Sequence, residues 1–166
     1  MELEDLYEEI QPRIYAFFLM KTSSKEVAED LTQEVFYEAL KSLHSFSHQS
    51  TIQTWLFSIA KNRLLKYYRS KKYKNQLNEL LKKESGISTT PEEEVLKNET
   101  KQNLIDYINR LDNVSKEIVT LRIYGELSFK EIGSLISKSE NFARVTFHRA
   151  KLKLHKEMEG YQYGSS

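Results

Sequence analysis

The sequence predicts an all-α protein with two small helical domains joined by a flexible linker, the C-terminal one containing a helix-turn-helix. Its 166 residues include only five Gly and two Pro, too few for the many turns of a strand-rich fold. Apolar residues recur at steps of three and four over long stretches, which is the helical period. A polar segment containing Gly86 and Pro91 interrupts that period and divides the chain in two.

The first predicted domain, residues 1–73, begins with a helix from Leu3 to Met20. A second helix follows from Lys25 to about Leu43, and Ser23 or Ser24 is suited to cap its start. The apolar residues predicted to pack against the rest of the domain are Val27, Leu31, Val35 and Leu40. The polar side chains predicted to lie on a free face are Asp30, Gln33, Glu34 and Tyr37.

A loop is predicted over the polar, Ser-rich residues 44–53. A long third helix should begin near Thr51 or Thr54 and carry Trp55, Ile59 and Leu64. Residues 74–103 show no sustained apolar period, and we expect them to form the linker.

The second predicted domain, residues 104–160, holds four short helices, and YQYGSS at the C-terminus is expected to be a tail. The first two helices are marked by apolar residues at helical spacing, and Gly125 ends the second. Ser128 and Glu131 fit a capping box at the start of the third. Ser139 can cap the last one, whose inward residues are predicted to be Ala143, Phe147, Ala150 and Leu154.

Charges are sorted along the chain although the net charge is only +1. Residues 1–40 hold ten Asp or Glu against three Lys or Arg. The acid-free segment, Lys41–Lys74, contains eight Lys or Arg and no Asp or Glu. A second basic cluster follows Asn141 and comprises Arg144, Arg149, Lys151, Lys153 and Lys156. Two separate basic surfaces are therefore expected, and such surfaces suit nucleic acid.

The two basic surfaces suit different forms of nucleic acid. A basic second helix in a helix-turn-helix fits the major groove of a duplex, although consecutive amphipathic helices also occur in ordinary bundles. The acid-free segment mixes aromatic rings with cations, which suits stacking on unpaired bases. We expect Phe57 to be a core residue instead, and for Trp55 the core and stacking interpretations are equally supported.

Other chemistry finds little support in the residues. With no Cys, thiol redox chemistry and thiolate metal sites are excluded. His44 and His48 lack a third ligand, and the carboxylates of the second helix are typical of a solvated face. We therefore expect no enzyme activity, no metal and no cofactor. The acidic N-terminus and the lack of a long apolar run predict a soluble, cytoplasmic protein with no membrane insertion.

Two stretches resemble a known family. AEDLTQEVFYEAL, a Ser-rich loop and TWLFSIAKNRLLKYYRSKK resemble region two of extracytoplasmic-function sigma factors of the sigma-70 superfamily. LSFKEIGSLISKSENFARVTFHRAKLKL is similar to their region four, in the same order and at the expected distance. The resemblance implies a non-catalytic subunit that binds core RNA polymerase and directs it to promoter DNA in a stress response. It also implies control by an anti-sigma factor, which is often membrane-bound.

The resemblance assigns roles to three groups of residues. Those implied to bind the clamp helices of the largest polymerase subunit are Asp30, Gln33, Glu34 and Tyr37. Those implied to bind the melted minus-ten element are His44, Ser47, Ser50, Trp55, Asn62, Arg63, Lys66 and Tyr67. Those implied to bind the minus-thirty-five duplex are Ser139, Arg144, Val145, His148, Arg149 and Lys151.

The recognition helix departs from the family pattern, because Arg144, Val145 and Thr146 stand where many members carry a Lys or Arg, Ser, Arg sequence. Its readout is therefore expected to rely on thymine methyl contacts, backbone contacts and DNA shape. The sequence leaves three alternatives: a stand-alone helix-turn-helix regulator, an enzyme with a carboxylate metal site on the second helix, and a helical adaptor. It does not specify the promoters, the inducing signal, the anti-sigma factor or the organism.

Overall fold

The computed structural model describes the backbone of residues 3–85 and 99–164, and within these ranges it is helical with no strand. The N-terminal half contains α1 (Leu3–Thr22), α2 (Lys25–Ser42), a 3-10 turn (Leu43–Ser45) and α3 (Ile52–Ser85). The C-terminal half contains α4 (Glu99–Asn109), α5 (Asn113–Ile123), α6 (Phe129–Ile136) and α7 (Glu140–Gly164). The all-α prediction is confirmed.

The N-terminal half is a bundle in which α1 and α3 both pack against α2 and also contact each other. Ser24 is the cap of α2, and its hydroxyl accepts from the backbone N–H of Val27 at 3.3 Å. The inward residues of α1 lie at helical spacing and are fully buried, so they supply the centre of the core. Those residues are Ile10, Ile14, Phe17 and Phe18.

The end of α3 differs from the predicted linker. This helix has 34 residues, which corresponds to about 50 Å at 1.5 Å per residue, and it continues to Ser85. Leu77, Leu80 and Leu81 recur at steps of three and one, a helical pattern too sparse to mark a core face, and all three are exposed. Helix α4 likewise begins inside the predicted linker, at Glu99. The rest of the linker, residues 86–98, lies outside the described residues.

Side chains cap the starts of α5 and α6 in the C-terminal half, and of these two caps the one at α6 was predicted. Asp112 caps α5 by accepting from the N–H of Ser115 at 3.1 Å, and hydrogen bonds from the Ser115 hydroxyl and amide lower the pKa of this carboxyl. The capping box of Ser128 and Glu131 is present at α6. Helix α7 continues to Gly164, so the backbone of the predicted tail is helical as far as that residue.

The turn between α6 and α7 depends on a close approach at Gly133. Ser137 ends α6 in a left-handed conformation with a φ of 58°, and the N–H of Lys138 donates to the carbonyl oxygen of Gly133 at 2.8 Å. A Cβ atom on Gly133 would lie 2.8 Å from the Lys138 oxygen and 2.9 Å from the Ser139 oxygen. The turn can therefore cross α6 this closely because residue 133 has no side chain.

The two halves also pack against each other, which the sequence analysis did not anticipate. One core cluster joins the inward residues of α1, α2 and α3 to Ile118, Leu121, Leu127 and Ile132 of the C-terminal half. Gly125 lies against the ring of Phe57, so closely that a Cβ atom there would be 3.2 Å from two ring carbons. Phe57 is fully buried, which confirms its predicted place in the core.

Candidate polymerase and nucleic-acid interfaces

The predicted polar face of α2 is exposed. Asp30, Gln33, Glu34 and Tyr37 are all open to solvent, and Tyr37 exposes 65% of its surface. Opposite them, Leu31 and Val35 are buried in the N-terminal core. The helix therefore separates a packed stripe from an acidic stripe, as its spacing predicts.

Leu40 belongs to this exposed surface, so its predicted place on the packed face is wrong. Leu40 lies nine positions after Leu31, and nine steps of about 100° bring a side chain to the opposite side of a helix. Leu40 exposes 57% of its surface, whereas Ala39 takes the inward position. Together with Tyr37, Leu40 gives the polar face an apolar patch that a partner protein could cover.

Arg63 links α3 to the polar face of α2. Its Nε lies 2.8 Å from Glu38 Oε2, and its Nη1 lies 3.8 Å from Glu34 Oε2. A side chain predicted to contact DNA is therefore adjacent to one predicted to contact polymerase. The two candidate surfaces share an edge, and these ion pairs fix the Arg63 side chain along that edge.

The predicted loop carries a cluster of three aromatic rings. Phe46 lies between His48 and Trp55, with ring centroids 4.6 Å and 5.1 Å apart. Trp55 is half-buried against the N-terminal core, so it is both a packing residue and part of the aromatic cluster. Phe46 and His48 were missed as candidate site residues. The signal available was that Phe46 is the one apolar residue between His44 and Thr51.

The remaining candidate residues of the N-terminal half differ in exposure. His44, Ser47, Ser50, Asn62 and Lys66 are exposed. Tyr67 is half-buried against the core, and its ring lies 5.7 Å from that of Tyr68. The Tyr68 hydroxyl donates to the carbonyl oxygen of Lys21 at 2.9 Å, and burial, followed by the neighbouring Tyr67 and Glu117, raises its pKa.

The outer surface of α7 is exposed and basic. Ala143, Ala150 and Leu154 are buried and Phe147 is half-buried, which confirms the predicted inward face. The candidate residues on the other side are all exposed, and they are Arg144, Val145, His148, Arg149 and Lys151. Between Asn141 and Lys156 the helix has no acidic residue. This surface can therefore neutralise phosphates along a duplex.

Ser139 and Arg144 are held by contacts within the helix-turn-helix. The Ser139 hydroxyl accepts from the N–H of Phe142 at 3.0 Å, so it caps α7 and retains one hydroxyl proton to donate. Arg144 Nη2 lies 3.0 Å from Glu140 Oε1, and its guanidinium lies 5.6 Å from the centre of the Phe129 ring. These contacts orient the guanidinium before any DNA binds.

We expect Ser128→Ala to lower the free energy of unfolding by about 1 kcal/mol, because an N-cap hydroxyl satisfies a helix-end amide that alanine leaves unpaired. The Ser128 hydroxyl accepts from the N–H of Glu131 at 3.1 Å. Ser134→Ala, at an exposed position of the same helix, is the matched control and should change stability by less than about 0.5 kcal/mol. Urea unfolding monitored by circular dichroism measures both. Equal effects of the two substitutions would contradict the capping role.

Neither a membrane span nor a metal cluster is found in the part of the chain that the structure describes. No helix there is long and apolar enough to cross a bilayer. No three His, Asp or Glu side chains within residues 4–82 and 103–160 are grouped so that they could hold a metal ion. The carboxylates of α2 thus offer no metal site among these residues.

Two family models match the chain. Sigma-70 region 2 matches residues 6–73, and Sigma-70, region 4 matches residues 101–154. Two curated relatives from Bacillus subtilis (strain 168) match almost end to end. The RNA polymerase sigma factor YlaC is 33% identical over 94% of this chain and 91% of that protein. The ECF RNA polymerase sigma factor SigM is 32% identical over 93% of each chain.

Solved structures share the fold. The sigma factor RpoE, crystallised with the anti-sigma factor NepR from Bartonella quintana, superposes with a TM-score of 0.70 at 19% identity, covering 94% of this chain and 96% of that one. CnrH, in complex with the cytosolic domain of CnrY, gives a TM-score of 0.62 at 17% identity, covering 95% and 87%. The matched regions and the full-length relatives agree, and this chain belongs to the extracytoplasmic-function sigma factors of the sigma-70 family.

Proposed function

We propose that this chain is an alternative sigma factor that brings core RNA polymerase to its promoters by contacts from three separate surfaces. The observation that carries the proposal is that this family member has an exposed acidic face on α2 and two exposed basic surfaces. One basic surface is formed by the loop and α3, and the other lies on α7. Members of the family are in general DNA-binding regulators rather than enzymes. We propose the same for this chain and place its action in the cytoplasm, without a cofactor.

The polar face of α2 is the proposed site for the clamp helices of the largest polymerase subunit. Its acidity suits a basic partner and would favour correct encounter over long distances. Tyr37 and Leu40 add exposed apolar area next to the charges. Protein interfaces usually have an apolar centre and a polar rim. An aromatic and an aliphatic side chain surrounded by charges have that composition.

The loop and the first turns of α3 are the proposed site for the unpaired minus-ten strand. The Phe46, His48 and Trp55 rings supply stacking area, and Arg63 and Lys66 supply positive charge two to three turns further along α3. Exposed hydroxyls of Ser47 and Ser50 can donate to base edges or phosphates.

The outer surface of α7 is the proposed site for the minus-thirty-five duplex. Arg144, Arg149 and Lys151 would neutralise phosphates and fix the register of the helix in the major groove. Val145 exposes 37% of its surface and can contact a thymine methyl group. When one polymerase holds both DNA-binding surfaces, binding at one surface raises the effective concentration of the other at its own DNA element. Neither surface therefore has to bind DNA tightly on its own.

An anti-sigma factor is the proposed regulator. The structures of both RpoE and CnrH are of complexes with a protein partner, NepR and the cytosolic domain of CnrY respectively. We propose that a partner of this class, often membrane-bound, holds this chain inactive until a stress signal releases it.

The test is run-off transcription with purified core polymerase on genomic fragments, with and without the chain. We expect defined start sites that depend on the chain, and transcription about five- to a hundredfold weaker in Arg144→Ala or Arg149→Ala, since such contacts are worth about 1–3 kcal/mol. Arg110→Ala, at an exposed cation that directly follows α4 and lies outside the candidate surfaces, is the matched control and should retain full activity.

The outcome also separates the sigma factor from a stand-alone regulator. A sigma factor should bind DNA poorly until core polymerase is present. If the chain alone binds a specific duplex tightly, and neither binds core polymerase nor creates a start site, the proposal fails in favour of a stand-alone helix-turn-helix regulator.

A further inference from the structure

A groove of about 450 Å³ lies where α3 meets the C-terminal half. Its apolar lining comes from Leu64 and Leu65 of α3, Val114 at the start of α5 and Ile136 at the end of α6. Leu65 and Val114 expose 52% and 44% of their surfaces. Single exposed apolar side chains are ordinary on a protein surface, but these two line the same concavity. The groove therefore offers apolar contact area that is open to solvent.

Cations accompany this apolar lining. Lys21, Lys61 and Lys138 line the groove together with one carboxylate, that of Glu117. Glu117 Oε2 lies 2.9 Å from Lys21 Nζ, whereas Glu117 Oε1 lies 3.6 Å from Lys61 Nζ. The Lys21 side chain is only 14% exposed, so the shorter and more buried ion pair is the one with Lys21. The lining therefore carries a surplus of positive charge, and Lys61 and Lys138 supply it.

The ammonium groups of Lys61 and Lys138 retain hydrogen-bond donors. Each ammonium has three N–H groups. Lys61 Nζ donates to the carbonyl oxygen of Leu135 at 3.3 Å, and its ion pair with Glu117 is long. Lys138 is exposed, and its Nζ lies 5.5 Å from the centre of the Phe142 ring. No carboxylate of the described residues forms an ion pair with Lys138. Both cations can therefore accept an anion at the groove.

We infer that the groove binds a small amphipathic anion, with its charged head on Lys61 and Lys138 and its apolar body on the leucines of α3 and on Val114. Pockets of roughly 300–1,000 Å³ with an apolar lining and a few polar groups usually take small molecules, and an aliphatic carboxylate of about ten carbons suits this one. The site requires neither polymerase nor promoter DNA, so it goes beyond the proposed function.

Larger partners suit the groove less well. A nucleic-acid strand carries a phosphate at every nucleotide, and an apolar lining would desolvate those charges without pairing them. One turn of an α-helix with its side chains fills about 400–600 Å³, so the groove would hold about one turn of a partner helix. A single turn is too short to be a stable helix. A second copy of the chain would bring the same surplus of positive charge, which opposes association.

Calorimetric titration of the full chain with sodium decanoate, below the concentration at which decanoate forms micelles, tests the site. We expect saturable binding of one decanoate per chain, and a melting temperature that rises with decanoate concentration. Octanoate should bind about ten- to twentyfold more weakly, because it buries two fewer methylene groups. Decyltrimethylammonium has the same apolar chain with a positive head, and it should not bind beside the surplus cations.

Lys138→Glu tests the charged end of the groove. It replaces an exposed cation of the lining with a carboxylate, and we expect decanoate to bind about five- to thirtyfold more weakly, since a hydrogen bond between charged groups is lost. Lys130→Glu makes the same change of charge at an exposed position of α6 outside the groove, and it should bind decanoate as the unchanged chain does. Equal weakening in both variants would mean that net charge, and not the groove, attracts the anion.

Val114→Trp tests the apolar end by filling the groove with an indole ring, and it should abolish decanoate binding. Ile123→Trp is the matched control, because it adds the same ring at the other end of α5, where Ile123 is 42% exposed and Val114 is 44% exposed. We expect this control to bind decanoate unchanged. Both positions are exposed, and circular dichroism of each variant shows whether it has folded.

The groove is not an anion site if decanoate binding does not saturate at one per chain, if decyltrimethylammonium binds as decanoate does, or if the folded Val114→Trp chain still binds decanoate. The titrations contain neither polymerase nor DNA. A failure of the proposed function in transcription would therefore leave their result unchanged, and a failure to bind decanoate would leave the proposed function standing.

Discussion

Phe17→Ala is expected to lower the free energy of unfolding by about 3–5 kcal/mol, the usual cost of deleting a buried aromatic ring. The side chain is fully buried where the helices of the N-terminal half meet. Its ring centroid lies 5.6 Å from that of Phe18 and 5.7 Å from that of Phe57 in an edge-to-face arrangement. Removing the ring leaves a cavity between helices whose other contacts prevent collapse. Urea unfolding at constant temperature measures the loss.

Tyr37→Ala is the matched control, because it also removes an aromatic ring from the N-terminal half. Tyr37 exposes 65% of its surface, and its ring contact within the described residues is with Lys41, whose Nζ lies 5.5 Å from the ring centre. We expect stability to change by less than about 0.5 kcal/mol, while binding of core polymerase weakens. If Tyr37→Ala destabilised the chain as strongly as Phe17→Ala, the division of α2 into a packed and a partner-binding face would be wrong.

Local signals predicted the N-terminal ends of α2, α6 and α7. The capping box at Ser128 and Glu131, and the caps at Ser24 and Ser139, depend on hydrogen bonds over three residues, so the sequence carries them completely. The inward face of α7 was equally predictable, because a spacing of three and four residues is enough to define it.

Contacts between distant segments could not be predicted in the same way. Nothing local to Glu131 indicates that its second oxygen accepts from Thr51, 80 residues earlier. The close approach at Gly125 likewise depends on where Phe57 lies in the other half. Composition suggested two independent domains. How they pack against each other depends on whether their surfaces are complementary, and each half forms its surface only after it has folded.

Residue spacing located the candidate surfaces, but it did not predict which residues lie next to them. The polar face of α2 was predicted from its period. The prediction for Leu40 was wrong because the nine positions after Leu31 make two and a half turns, which carry a side chain to the opposite side of the helix. The aromatic cluster at Phe46 forms because the loop returns toward Trp55, with His48 at a φ of 59° in the left-handed region. A backbone reversal of this kind is set by tertiary contacts, so the loop residues alone do not predict it.

The same substitution at two glycines is expected to act in opposite directions. Gly133→Ala should lower the free energy of unfolding by about 1–3 kcal/mol through overpacking. Its Cβ would meet the Lys138 and Ser139 oxygens at 2.8 Å and 2.9 Å, and these are backbone atoms that no rotamer change can move. Gly160→Ala, inside α7 with no atom within 4 Å of the new methyl group, should raise stability by up to about 1 kcal/mol, since alanine favours a helix.

The functional effect of Gly133→Ala should exceed its effect on stability. The atoms that must move belong to the turn that positions the start of α7, so the displaced helix would present Arg144 and Arg149 out of register with the phosphates. We expect promoter-specific transcription to fall about tenfold or more under conditions in which circular dichroism shows the chain to be folded. Binding of core polymerase through α2 should be retained. Full transcription from Gly133→Ala would mean that the turn tolerates a side chain there, and that the close approach does not set the position of α7.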